Sequence, residues 1–220
     1  MTVRLTFVCA AAGEATMDGD FDDGPLSERG LREADAAGAV LPPYPLVIRA
    51  PSIRCAQTAD ALGLKPTVEP ALRDLDYGKW RGFTSDEAAG IDPYGFSLWL
   101  TDPDAAPHGG ESVHRICERT ADWLSRLTPD MGRVLAITQP AVVRAALVHA
   151  LSMPARAFWH FDVPPLFTVS LASRGGCWNV RPSHITPGRA ASGSCEHVGR
   201  GGGCLAGGRR VPRPGSPSGR

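Results

Sequence analysis

The chain has 220 residues, a formal net charge of zero, 43% hydrophobic residues and 21% charged residues. A chain of this size buries a substantial core in one α/β domain, and its balanced charge gives no general attraction to nucleic acid or an anionic membrane. No apolar run approaches the roughly 20 residues that cross a bilayer. Met1-Thr2-Val3-Arg4 leads straight into a strand-like segment without the apolar region of a signal peptide, so a cytoplasmic location is the default expectation.

Val3 to Cys9 mixes β-branched and apolar residues and ends in small residues, Ala10 to Gly13, as a buried first strand does. An acidic loop follows from Asp18 to Asp23. Pro25-Leu26-Ser27-Glu28-Arg29-Gly30 then opens an alanine-rich helix running to about Val40. Leu46 to Ala50 is a second short strand, and helix signals run from Ser52 to about Leu62, stopped near Gly63 and Pro66. Leu72 to Pro107 is expected to be an irregular insertion, rich in Asp, Gly and the aromatics Tyr77, Trp80, Phe83, Tyr94, Phe96 and Trp99. These rings, with Trp159, are candidates either to line an apolar pocket or to cover the mouth of the sheet.

Gly109-Gly110-Glu111-Ser112 opens an amphipathic helix with Val113, Ile116, Trp123, Leu124 and Leu127 at helical spacing. Gly132 to Thr138 is a third strand, and Val142 to Leu151 an apolar helix. Leu166 to Ala172 and Trp178 to Val180 form a closing hairpin through Arg174-Gly175-Gly176. Alternating buried strands and helices imply a three-layer α/β/α domain over residues 1–182 with a mostly parallel sheet. Residues 183–220 offer little to bury and are expected to be a disordered Gly/Pro/Arg-rich tail, with no aromatics interleaved to stack on nucleic acid.

The six cysteines form no Cys-x-x-Cys unit and no paired zinc-ligand spacing, so reduced thiols are expected. Cys9 invites comparison with cysteine phosphatases, which need an arginine six residues after the nucleophile. That position is Ala15, and from Cys55 it is Ala61; both fail, and Cys9 reads as an inert strand-end thiol. His108, Glu111 and His114 have helix-face spacing but no further ligand beside them in sequence, so neither a metal nor a cofactor is expected.

Several of these segments, in order and covering most of residues 3–181, resemble the histidine phosphatases, a phosphoglycerate-mutase-like superfamily. Pro25 to Gly30 is similar to that family's Pro-Leu-Thr-Glu-Arg-Gly. Ser52-Ile53-Arg54-Cys55-Ala56-Gln57-Thr58-Ala59 resembles its second-arginine motif, and Leu72 to Gly82 its Leu-x-Glu-x-x-Phe-Gly-x-Trp-x-Gly stretch. Gly109-Gly110-Glu111-Ser112 matches outright, and Val134 to Arg144 follows the strand and helix around the second histidine. The first strand of the family ends in Arg-His-Gly-Glu-Thr, whereas this chain has Cys9-Ala10-Ala11-Ala12-Gly13.

In that family the first histidine attacks phosphorus, two arginines and the second histidine hold the phosphoryl oxygens, and a carboxylic acid protonates the leaving oxygen. The resemblance puts Ala10 and Gln139 at the two histidine positions and Cys9 at the first arginine. A two-residue shift in register, matching Gly13-Glu14 to the family's Gly-Glu, gives Ala12 and Ala11 instead, still without nucleophile or charge. Arg54 is left as the motif-matched anion ligand, and Asp74 matches the proton-donating acid, shortened by one methylene. Glu111 either faces the pocket or answers the helix dipole.

Three functional readings follow. The first is a repurposed pocket, lined by Cys9, Ala10, Arg54, Asp74, Glu111 and Gln139, that binds or transforms a small organic molecule. Isomerisation, cyclisation or elimination with Asp74 as acid or base would suit bacterial specialised metabolism. The second is a non-catalytic pseudophosphatase that only binds a small molecule, and the third is residual phosphatase or mutase activity. None involves nucleic acid or a membrane as partner.

Overall fold

The computed structural model of the chain describes residues 2–14, 21–175 and 177–182. The expected disordered tail, 183–220, and part of the acidic loop lie outside them. Six strands form one sheet: β1 (Arg4–Cys9), β2 (Leu46–Arg49), β3 (Thr67–Val68), β4 (Arg133–Thr138), β5 (Thr168–Arg174) and β6 (Cys177–Pro182), in the order β3-β2-β4-β1-β5-β6. The β3–β2, β2–β4 and β4–β1 pairings are parallel, while β5 runs antiparallel to both β1 and β6. Helices cover both faces. Because both faces are covered, β1 and β4 are apolar almost throughout rather than alternating: Leu5, Phe7, Val8 and Cys9 are all buried, as are Val134 to Thr138.

The helices are α1 (Glu28–Gly38), α2 (Ile53–Ala61), α3 (Ser85–Ile91), α4 (Pro93–Thr101), α5 (Val113–Ser125) and α6 (Pro140–Ala150). Each of α1, α2 and α5 starts where a serine can satisfy a free backbone N–H. Ser27 accepts from Gly30 N, Ser52 from Cys55 N and Ser112 from Arg115 N. α6 begins at Pro140, two residues before the expected Val142, because proline at the first helical turn loses no hydrogen bond there. Its buried face and that of α5 pack together over β1, where Phe7 meets Trp123 with ring centroids 6.1 Å apart.

The expected irregular insertion from Leu72 to Pro107 is instead partly helical. Thr84 and Glu87 form a reciprocal capping box that starts α3, and Asp92 caps α4 at Gly95 N with Pro93 in its first turn. The closing hairpin sits two residues later than expected at its start, since Leu166 adopts a positive φ of 58° and belongs to the preceding turn. Gly175 supplies the positive φ of 59° that the hairpin turn needs.

Candidate functional site

Two neighbouring cavities, of about 400 and 390 Å³, open at the carboxyl ends of β1 and β4, where ligands of open α/β sheets usually bind. They share Phe21, Asp22, Asp74, Tyr77 and Gln139. The larger is floored by Cys9, Ala10, Ala11 and Ala12 from the end of β1 and by Gln139 and Pro140 from the start of α6.

The backbone of this floor is fixed by hydrogen bonds from three directions. Ala10 N donates to Thr138 O (2.9 Å), Ala11 N to Thr58 Oγ1 (3.0 Å), and Ser27 Oγ to Ala12 O (3.1 Å). Gly30 lies so close to Ala12 O that any side chain there would collide with it. Thr138 Oγ1 in turn donates to Leu72 O (2.9 Å), tying β4 to the loop that carries Asp74. The side chains that could do chemistry therefore stand on a rigid base.

Arg54 lies in the first turn of α2 and is buried. Its Nη2 donates to Asp22 O (2.9 Å), and its guanidinium packs against Gly13. Asp23 accepts from Ile53 N (2.8 Å) and Arg54 N (3.2 Å), placing a carboxylate at the same helix start. Gln139 is buried, with its amide 3.4 Å from Ser52 Oγ. Cys9 is buried and its thiol is held far above its usual range, first by desolvation and then by the neighbouring Cys55 and Asp74. A thiol in that state is a poor nucleophile.

Asp74 is half-buried at the junction of the two cavities. Burial raises its pKa from 3.8 to about 6, opposed by a hydrogen bond from Leu75 N (2.8 Å) and by Arg54. Its loop is held from behind by Arg119 of α5, which donates to the carbonyls of Ala71 (2.7 Å) and Arg73 (3.1 Å) and pairs with both oxygens of Glu111 (2.9 and 2.7 Å). Glu111 thus lies outside both cavity linings and precedes α5, with Arg119 and Arg73 as its partners.

One pocket cation has no separate role in the motif reading. Arg144 of α6 lines the larger cavity, donates Nε to Phe161 O (2.9 Å), and stacks its guanidinium over Trp159 (5.6 Å) and Phe158 (5.9 Å). Tyr77, Phe96, Trp99 and Trp159 form the aromatic wall, while Trp80 is buried behind it and Tyr94 is exposed. Burial lowers the pKa of His108. Its ring accepts from Gly110 N through Nδ1 and packs edge-on to Trp80. No described residue lining either cavity is a histidine. Among the described residues no group of three or more His, Cys, Asp or Glu side chains could hold a metal ion, and no helix is long and apolar enough to cross a membrane.

The sequence pattern of the histidine phosphatase superfamily (branch 1) matches residues 11–185. The chain belongs to that superfamily. Glucosyl-3-phosphoglycerate phosphatase of Mycobacterium tuberculosis is 30% identical over 183 residues, covering 78% of this chain and 80% of that protein. Among solved structures, an alpha-ribazole-5'-P phosphatase from Escherichia coli superposes with a TM-score of 0.73 at 22% identity, over 82% of this chain and 95% of that one. A phosphoserine phosphatase from Entamoeba histolytica, with a histidine mutated to alanine and in complex with phosphoserine, superposes with a TM-score of 0.72 at 16% identity, over 81% and 94% of the two chains. This sheet order, with its one antiparallel strand, is thus a phosphoglycerate-mutase-like arrangement. Its cavity lies among the residues that the motif resemblance singles out, Glu111 excepted.

Proposed function

We propose that this histidine-phosphatase-like protein has lost phosphohistidine chemistry, and that its pocket binds a small organic molecule and transforms it by proton transfer at Asp74. The observation that carries the reading is the pairing of a floor without histidine with a carboxyl whose pKa lies near 6. Ala10 offers no nucleophilic atom, Gln139 no cation, and the buried Cys9 thiol no thiolate. A carboxyl titrating near neutrality is the group in the cavity suited to general acid–base work, because both of its protonation states are populated within a unit or two of physiological pH.

The charge of the larger cavity supports the same reading. Its lining contains two arginines, Arg54 and Arg144, against three aspartates, Asp22, Asp74 and Asp162. Stabilising a transferred phosphoryl group takes an excess of positive charge, whereas this lining has none and suits a ligand of little net negative charge. The aromatic wall would take its apolar part, and isomerisation, cyclisation or elimination are the reactions within reach of a single carboxyl.

The test is conversion of candidate metabolites by purified protein, with Asp74→Asn as the critical variant. Binding retained and turnover lost is the expected result; turnover that persists in Asp74→Asn would remove the assignment.

A second reading has its own observation. The Entamoeba phosphatase structure holds phosphoserine although a histidine has become alanine. By analogy, this chain would be a pseudophosphatase that binds a phosphomonoester without hydrolysing it. Saturable binding of phosphoserine or a sugar phosphate, dependent on Arg54 and free of turnover, would favour this reading over the first. Hydrolysis of a generic phosphomonoester, lost in Arg54→Ala, would refute both and return the protein to the activity of its relatives.

A further inference from the structure

The opposite ends of the same strands carry a further concavity, of about 250 Å³, lined by Arg4, Thr6, Tyr44, Arg133, Ser170, Leu171, Ala172 and Arg181. Arg4 and Cys9 are the two ends of β1, so about 16 Å of strand separates this groove from the pocket described above. Its location follows from the sheet register. Arg4 is the direct partner of Arg133 across β1 and β4, Thr6 partners Ser170 across β1 and β5, and Ser170 partners Arg181 across β5 and β6. Side chains two apart on a strand share a face, as do register partners, so the three arginines emerge on one side of the sheet. The row runs across four adjacent strands, a span of about 14 Å at the usual inter-strand spacing.

The floor between the arginines is hydroxylic. Tyr44 Oη donates to Thr6 Oγ1 (3.2 Å), and Thr6 Oγ1 lies 2.9 Å from Ser170 Oγ. The Arg133 guanidinium sits over the Tyr44 ring at 4.7 Å, a cation–π contact that restrains it. No carboxylate lines the groove, and among the described residues none of the three guanidiniums takes part in an ion pair or a hydrogen bond. Like charges placed side by side across two strands are unfavourable. Among the described residues that arrangement occurs here without a carboxylate lining the groove.

We infer that this groove is an anion-binding site for a linear di- or triphosphate group, either free or carried by an organic molecule. Arginine forks match phosphate oxygens in geometry and keep their charge at any physiological pH. A row of three spread over about 14 Å is longer than one phosphate, so its ends engage different phosphoryl groups of a chain. The hydrogen-bonded hydroxyls of Tyr44, Thr6 and Ser170 give the groove a polar floor beneath the arginines. The groove stands independently of the proposed function, since none of its residues lines the other cavity.

Calorimetric titration of the full chain with sodium tripolyphosphate, orthophosphate and a nucleoside triphosphate, at fixed ionic strength, tests this. Tripolyphosphate should bind saturably with one site, and orthophosphate at least about tenfold more weakly. The double variant Arg4→Gln/Arg133→Gln should weaken tripolyphosphate by about tenfold to a hundredfold, the range expected on losing charge-assisted hydrogen bonds. These are exposed positions, and an unchanged melting temperature would show that the fold is intact. Equal affinity for the nucleotide and tripolyphosphate would assign recognition to the phosphate chain alone; tighter nucleotide binding would mean that the organic part adds contacts. The inference falls if tripolyphosphate binding is absent or is unaffected in Arg4→Gln/Arg133→Gln. It falls equally if binding is lost instead in Arg54→Gln/Arg144→Gln, or if duplex DNA binds these arginines more tightly than tripolyphosphate does.

Discussion

Removing the Arg119 guanidinium should unsettle the fold and the Asp74 loop together. Arg119 and Glu111 are among the least exposed charges in the structure, with side chains 13% and 10% accessible, and they meet through two hydrogen bonds of 2.9 and 2.7 Å. The same guanidinium satisfies the carbonyls of Ala71 and Arg73. In Arg119→Ala the Glu111 carboxylate keeps only Arg73 at 3.5 Å, a side chain that is more than half exposed and therefore well screened. Breaking a buried pair from one side costs about 3–5 kcal/mol because the remaining charge is left desolvated. For a domain of this size that corresponds to a fall in melting temperature of about 6–20 °C. Urea unfolding of Arg119→Ala, Glu111→Ala and the double variant would measure the pair alone, and a coupling of about 2 kcal/mol or more is expected. A coupling near zero, with Arg119→Ala within about 0.5 kcal/mol of the parent protein, would show that solvent screens the clamp and that the reasoning is wrong.

Asp74→Asn should stabilise the protein above about pH 6 by about 2–3 kcal/mol, since burial holds the native pKa roughly two units above the unfolded value of 3.8. An acid whose pKa rises on folding binds more protons when native, so stability falls as pH increases from about 4 to 6; the advantage of the variant should vanish below pH 4, as pH-dependent urea unfolding would reveal. Gly30→Ala should cost about 1–3 kcal/mol in thermal unfolding and displace the Ala10–Ala12 floor, because its methyl group has no space beside Ala12 O. Iodoacetamide mapping of the native protein at pH 8 should label the exposed Cys177 and spare Cys9 and Cys55, whose thiols burial holds protonated; rapid labelling of Cys9 would contradict its placement. Ala10→His combined with Gln139→His should give hydrolysis of p-nitrophenyl phosphate above the parent level, and Arg54→Ala should abolish that gain. Failure to bind phosphate in the triple variant's parent would count against the alignment on which the proposal rests.

Local rules carried much of the fold. The serines that begin α1, α2 and α5, and the apolar runs of β1 and β4, are signals contained within a few residues, and the elements begin within a residue or two of where those signals put them. Thr84-Ser85-Asp86-Glu87 and Asp92-Pro93 are signals of the same kind for α3 and α4. They were obscured because α4 carries Phe96, Leu98, Trp99 and Leu100 close together, without the one-sided stripe that marks a surface helix. β3 has two residues and is defined by its pairing with β2 alone. The Arg119 clamp was illegible for a deeper reason: most of its acceptors are backbone carbonyls more than 40 positions away, and a carbonyl leaves no trace in residue identity.

Arg144 alters the charge argument that the motifs alone suggest. Read from the motifs, the substitutions at Cys9, Ala10 and Gln139 leave Arg54 as a solitary cation. In the fold, the α6 helix brings a second guanidinium to the same cavity and sets it over Trp159 and Phe158. With Nε on Phe161 O, the cation lies against the aromatic wall and the two form one surface. A planar ligand bearing one carboxylate would meet both, and Asp74 across the cavity would be placed to exchange a proton with it. A phosphate dianion would gain the same two arginines but would also face Asp22, Asp162 and the ionised form of Asp74. Protonating Asp74 removes one of those negative charges. Binding of a carboxylate monoanion in this pocket should therefore strengthen below about pH 6, and a binding profile flat from pH 5 to 8 would mean that Asp74 does not sense the ligand.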